Sequence, residues 1–535
     1  MTGVLYKNGS FPMAQHLGQS DAVFVDKGII QAIGTAKDLS VQLTKKEYQT
    51  VDWDGGYVLP GLVDSHMHLS MHGLKLTALD FTAVTSKEEM LQLIRHRVDT
   101  TPHGEWIIGL NWNENSFQPA IAPTRSELDA LTAKHPIFLT RVCFHAYLGN
   151  SEAFRRAGVT ESTIDPDSGA YGRDCTGQLN GWIYEDAGEP FHRIMPEPDY
   201  AAKKACIRRA SLDALRLGLT ATHTDDLRFL GSIETMLRIH RELREEGVLL
   251  RSNQLIYYTF LDEATALGLH GGSGDEWLRI GAAKIFADGA LGGRTALLRE
   301  SYHDDGGNRG IAIHSREALY GIVRRARAAG FPVAVYAIGD EAIELTLAAM
   351  AAHPLVGTAQ AQGKSLPDRL VHALVMRPDL IERMKHLPVV ADIQPPFVLS
   401  DFPWVLDRIG EGRMDYGYAW KKLLTAGIPC AGGSDAPIES LNPFLGLYAA
   451  VNRRKPGETH AGYQPSEKLS LQEAIDLYTK GSAQAAGEAS LRGSLAVGYA
   501  ADFTVVNRDL TQSVEELSQA GIKMTVVNGQ VAYRA

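Results

Sequence analysis

Apolar runs of four to eight residues alternate with amphipathic stretches through most of the chain. In YAAKKACIRRASLDALRLG, beginning at Tyr200, the residues Ile207, Ala210, Ala214 and Leu217 recur at helical spacing, and Gly218 ends the helix just before LTATHT at 219–224. EALYGIVRRARAAG repeats the arrangement with Leu319, Ile322, Val323 and Ala326 ahead of Gly330, and FPVAVYAIG follows as a strand. Helix followed by strand, over and over, predicts a parallel sheet. Buried-strand runs fall at 58–66, 219–224, 249–257, 280–286, 332–337, 369–373, 388–394 and 428–434. Eight parallel strands are the number that closes a (β/α)₈ barrel, so the predicted fold class is α/β, a TIM-type barrel.

The two ends read differently. AVFVDKGIIQAIG is a pair of β-branched runs around Asp26-Lys27-Gly28, and KMTVVNGQVAYRA carries Asn528-Gly529, both hairpin signals. The predicted organisation is a composite β-sandwich domain from 1–58 plus 490–535 and a barrel at 59–489. The interval 75–200 is too long for one crossover and carries its own strand signals, such as PIFLTRVCFH, so it is read as an insertion after the first barrel strand that caps the mouth.

Composition narrows the partners. Over 535 residues, 63 acidic side chains outnumber 53 basic ones for a net charge of -10, which argues against nucleic acid because phosphate binding needs a basic footprint. No run reaches the apolar length of a membrane span and the N-terminus lacks a leader-like pattern, so the expectation is a cytoplasmic protein without membrane contact. The four cysteines, Cys143, Cys175, Cys206 and Cys430, show no C-x-x-C spacing and read as small buried side chains. A small-molecule substrate is the expected partner, with a homodimer as a further expectation.

In a barrel of this kind chemistry gathers at the C-terminal strand ends. The first run ends in His66-Met67-His68, and residues two apart on a strand face the same way, so both imidazoles converge. An H-x-H triplet alone also describes a hydrogen-bonded pair; the other strand ends decide. The fourth run carries Lys284 with Asp288 just beyond, the fifth Tyr336, the sixth His372 and the eighth Asp435. A lysine inside a buried strand is costly unless paired or chemically changed. Histidines, a carboxylate and a buried lysine at one barrel face form an N/O donor set suited to Zn²⁺, Mn²⁺ or Fe²⁺.

The segments PGLVDSHMHL (60–69), GLNWNENSF (109–117), AKIFADGALGGRTALL (283–298), AIGD (337–340), SDFPW (400–404) and AGGSDAPIES (431–440) resemble the metal-dependent amidohydrolase superfamily, in its YtcJ-like and N-substituted formamide deformylase-like branch. The resemblance implies a distorted barrel with a composite β-sandwich. It also implies that His66 and His68 bind one metal, that Lys284 is N-carboxylated to bridge two, that His372 binds the second, and that Asp435 is both ligand and proton carrier. Two positions depart from the family: Tyr336 stands where it has histidine before AIGD, and Pro396 where it commonly reads Q-P-H. One divalent metal per chain is therefore expected rather than two.

The expected catalytic residues are Asp435, Lys284 and Tyr336; Asp288, Arg294, Trp112 and His223 are read as substrate-facing, and His145 as a further residue of the mouth. The expected activity is hydrolysis of a non-peptide C–N bond in a small amide or N-substituted formamide by metal-activated water. Deamination or decarboxylation on the same scaffold, or a catalytically impaired binding protein, are the alternatives that Tyr336 and Pro396 leave open.

Overall fold

The computed structural model describes residues 3–44, 46–141, 146–166, 169–195, 197–355 and 366–535. His145 and Cys143 lie outside the described residues. The chain divides into two compact units, Met1–Met71 with Ile207–Ala535, and His72–Cys206.

In the larger unit eight strands make one sheet in sequential order, all neighbours parallel: β1 (Leu62–Met67), β2 (Leu219–Thr224), β3 (Arg251–Tyr257), β4 (Leu278–Phe286), β5 (Val333–Ala337), β6 (Asp368–His372), β7 (Val389–Ile393) and β8 (Cys430–Gly432). The helix Arg316–Ala328 shows how the pattern builds it. Ser315 caps the helix by accepting from Ala318 N, and Leu319, Ile322, Val323 and Ala326 form its buried face. Gly330 then takes a left-handed conformation (φ 78°) and β5 begins.

The sheet is closed without a ladder between its edges. Past the short β8 the chain turns toward β1, and the seam is made by Asp435 N donating to His66 O (2.7 Å) and His68 N to Ala436 O (2.8 Å). The Asp64 carboxylate adds bonds from Ser434 N (3.1 Å) and His66 N (3.0 Å). Gly433 permits this approach: a Cβ there would lie 2.5 Å from His66 N. The eighth run, expected at 428–434, is therefore a strand only over its first half.

The first run also differs from expectation. It splits at Gly61 into Tyr57–Pro60, which pairs antiparallel with Phe503–Val506, and β1 in the barrel. A side chain on Gly61 would meet Thr220 Oγ1 at 2.5 Å, so the switch between sheets needs glycine.

Both chain ends contribute to a pair of four-stranded sheets. One contains Gly3–Lys7, Ala22–Asp26, Ile29–Gly34 and Tyr48–Asp52; the other joins Tyr57–Pro60 to Phe503–Val506, Ile522–Val527 and Gln530–Arg534. Tyr6, Val23, Trp53, Phe503, Val505 and Met524 share one core. Burying each such side chain contributes roughly 1.5–3 kcal/mol, so the termini hold each other in place. Asn528 and Gly529 both have positive φ (53° and 68°), as a tight hairpin requires.

The smaller unit carries a six-stranded sheet, running from Gly169–Arg173 through Leu179–Glu185, Ala146–Gly149, Ile137–Arg141 and Ile107–Trp112 to Leu79–Asp80. No helix among the described residues is long and apolar enough to cross a membrane.

Candidate metal centre

β1 delivers His66 and His68 to one face while Met67 is fully buried on the other, and the two imidazoles lie 5.6 Å apart. From β4, Lys284 Nζ reaches to 3.1 Å from His66 Nε2. His372 ends β6 with its ring 5.7 Å from that of His66, and Asp435 follows β8. Both His372 (φ 73°) and Asp435 (φ 62°) adopt the left-handed conformation, uncommon for residues with a Cβ. Backbone strain of this kind is retained where it aims a functional side chain.

Ligand atoms of His66, His372 and Asp435 lie within 4.8 Å of one another. Asp435 Oδ1 also stands 3.5 Å from His66 Nε2 and 3.1 Å from His68 Nε2. Neither ring nitrogen of His372 makes a hydrogen bond, and Asp435 Oδ1 faces only the two imidazole nitrogens just named. Buried polar atoms without partners are costly, and here they converge on one point. The donor set therefore fits a divalent metal.

Protonation supports the same reading. Burial, with Lys284 close by, holds His66 well below the usual histidine range, and burial takes His372 down to about 4. Both are neutral imidazoles at pH 7, the form that binds metal. Burial likewise lowers Lys284, against the pull of Asp225, Asp435 and Asp392. His68 behaves differently: burial opposes its charge, but the Asp225 carboxylate and Asp435 hold it up to about 10, so a cation bound at its Nε2 must displace a proton from that nitrogen.

That contrast identifies a residue the sequence reading missed. Asp225, just past β2, lies 2.5 Å from His68 Nδ1 with its own carboxylate buried. A carboxylate at Nδ1 keeps the proton there and turns Nε2 toward the centre. Two further carboxylates were missed. Asp64 stitches the seam, and Asp392 pairs with Arg369, whose guanidinium also donates to Ser65 O behind the histidines.

Four expected substrate-facing residues are committed elsewhere. Asp288 is buried and its carboxylate accepts from Leu297 N (2.8 Å), Gly339 N (2.8 Å) and Ile338 N (3.0 Å), tying the loop after β4 to the turn after β5. Burial still pushes it up to about 7. Arg294 is spent on Asp304, with Nη2–Oδ2 at 2.8 Å. Trp112 is fully buried in the core of the smaller unit, packs on Trp182 and donates to Leu139 O (3.1 Å). His223 is buried and lines a cavity with Gly61, Thr220, Ser482 and Arg492, which none of His66, His68, Lys284, His372 or Asp435 reaches.

Tyr336 does belong to the centre, its ring 4.4 Å from that of His372 and its hydroxyl donating to Gly289 O at 3.4 Å. Burial, reinforced by Asp288 and Asp435, raises it well above the ordinary phenol range, so it stays neutral. Pro396 precedes the short helix Phe397–Asp401, and Phe397 packs 6.0 Å from His372.

Comparison with known proteins agrees with this geometry. YtcJ of Bacillus subtilis (strain 168) is 39% identical over 526 residues, covering 98% of both chains. The N-substituted formamide deformylase of Arthrobacter pascens is 26% identical over 535 residues, covering 96% of this chain and 95% of its own. The crystal structure of an uncharacterized metal-dependent hydrolase from Pyrococcus horikoshii superposes with a TM-score of 0.77 at 29% identity, covering 96% of this chain and 99% of its own. The amidohydrolase family model matches residues 49–533, nearly the whole chain and a span that contains the barrel, the seam and the residues of the centre: the chain belongs to the amidohydrolase family.

Proposed function

We propose that the protein hydrolyses a non-peptide C–N bond in a small amide or N-substituted formamide, using one divalent metal per chain, with Zn²⁺ preferred over Mn²⁺ and Fe²⁺. The convergence of His66, His372 and Asp435 within 4.8 Å, with their unpartnered atoms, carries this reading. The name of the Arthrobacter relative, a formamide deformylase, supports the bond type. His66, His68, Asp435 and His372 would hold the metal, with Lys284 joining them as a carbamate or lying neutral beside them. When bound, the ion supplies an acidified water and polarises the carbonyl.

The side chains account for the remaining steps. Asp435 accepts the proton of the attacking water and passes it to the departing amine nitrogen. His68, held by Asp225, keeps its Nε2 fixed and spares the reaction any reorientation. Tyr336, neutral and buried, donates its phenolic proton as a hydrogen bond to the oxygen that gains charge on the carbonyl. A phenol with reference pKa near 10 ligates poorly, so one metal is favoured.

The test is direct. Purified protein reconstituted with Zn²⁺ or Mn²⁺ is expected to release free amine from members of an N-formyl and N-acyl amine panel. Inertness across all metals and all amides overturns the reading.

A further inference from the structure

Beside the centre stands an arginine that feels the buried Asp225 carboxylate through space but has no carboxylate in contact with it. Arg228, four positions past the end of β2, is exposed, donates no hydrogen bond and forms no ion pair among the described residues. Two rings hold it instead: its guanidinium carbon lies 5.1 Å from the centroid of Tyr257, at the end of β3, and 5.1 Å from that of Phe286, at the end of β4. Arg294 differs, since Asp304 engages it in two hydrogen bonds.

The same Phe286 ring connects this arginine to the reacting groups. Lys284 Nζ lies 5.1 Å from its centroid, and Tyr336 packs on it at 5.0 Å before reaching His372. Tyr257, Phe286 and Tyr336 thus form a continuous aromatic wall from Arg228 to the metal ligands. Stacking on rings occupies the face of a guanidinium and leaves its edge N–H groups free, in the fork that matches a carboxylate. Contact with two rings also restrains the side chain, which reduces the entropy lost when an anion binds.

We propose that Arg228 receives the carboxylate of the substrate. The preferred amides are then anionic ones whose apolar part lies along the aromatic wall, such as N-formyl or N-acyl amino acids with apolar side chains. This rests on the amide-hydrolysis reading above and narrows its substrate class.

The experiment uses matched pairs on the metal-reconstituted full chain: N-formylphenylalanine, in both enantiomers, against N-formylphenethylamine, the same skeleton without the carboxylate. The wild-type protein is expected to prefer at least one of the acids in kcat/KM by about 10- to 100-fold, the worth of charge-assisted hydrogen bonds. Arg228→Met keeps the stacking stem and removes the charge, and is expected to collapse that ratio through KM, with Arg228→Lys intermediate. Metal content and circular dichroism verify that the variants fold. A wild-type preference for the neutral formamide, or a ratio unchanged in Arg228→Met, overturns the proposal. Should neither compound be hydrolysed, the amide reading fails, and calorimetry with 3-phenylpropionate decides the anion site alone. Binding to wild type that is lost in Arg228→Met upholds the site; equal or absent binding refutes it.

Discussion

His68 Nδ1 and Asp225 Oδ1 are 2.5 Å apart although 157 positions separate them in the chain. The pairing makes Asp225 a positioning residue, acting on the metal through the imidazole. Asp225→Asn, which offers an amide where a full charge stood, is expected to weaken metal binding by about 10- to 100-fold. Equilibrium dialysis against a metal buffer measures this, and unchanged affinity would sink the role.

Tyr336 separates two readings of the lost family histidine. Tyr336→Phe removes only the hydroxyl, and its expected effect is a loss of kcat of about 10²–10³ with little change in KM, as for an oxyanion donor. Tyr336→His is expected to raise metal content from one toward two per chain. Elemental analysis of both proteins provides the check; two tightly held metals in the unmodified chain would contradict the argument.

Asp288 fixes backbone rather than substrate. Asp288→Ala strips three backbone N–H groups, two of them in buried hydrogen bonds, of their acceptor and is expected to cost about 2–4 kcal/mol of stability. The denaturant midpoint reads the loss, while metal content per chain is expected to hold at its wild-type value.

A pH dependence follows from Asp401, whose carboxyl accepts from the Tyr418 hydroxyl (2.5 Å) and is pushed by burial up to about 7. A raised carboxyl means the folded chain binds this proton more tightly than the unfolded one. Its contribution is full below the unfolded value near 4 and is lost as pH rises to about 7, with a slope of at most about 1.4 kcal/mol per pH unit. Asp401→Asn, which keeps an acceptor for Tyr418, is expected to flatten that part of the stability profile relative to wild type. Parallel profiles for the two proteins would show the reasoning wrong.

Legibility in the sequence followed the physics of strand ends. His66, His68, Lys284, His372 and Asp435 were readable because each closes or occupies an apolar run, where a polar side chain is anomalous. Asp225 sits in the same kind of place, after LTATHT, yet Asp225-Asp226 before an apolar stretch also reads as a helix start, and its partner is far away in sequence. Trp112 and Arg294 were less legible for the opposite reason. Their motifs are conspicuous, but a tryptophan at a strand end is as readily core as pocket, and a half-buried loop arginine finds the nearest carboxylate. The split of the first run at Gly61 was hidden because both halves are equally apolar; only the close approach of Thr220 reveals it.

The seam between β1 and β8 carries a consequence for biosynthesis. Asp64 waits for Ser434, which is 370 positions further along the chain. At roughly 5–20 residues per second, translation leaves His66 and His68 outside any finished site for about 20–70 s. During that time β1 has an unpaired edge, and the strand Tyr57–Pro60 before it still awaits Phe503–Val506. The nascent chain can complete its hydrolytic centre only as the last fifth or so is made, so a ribosome that stalls early leaves a histidine pair with nothing to close on.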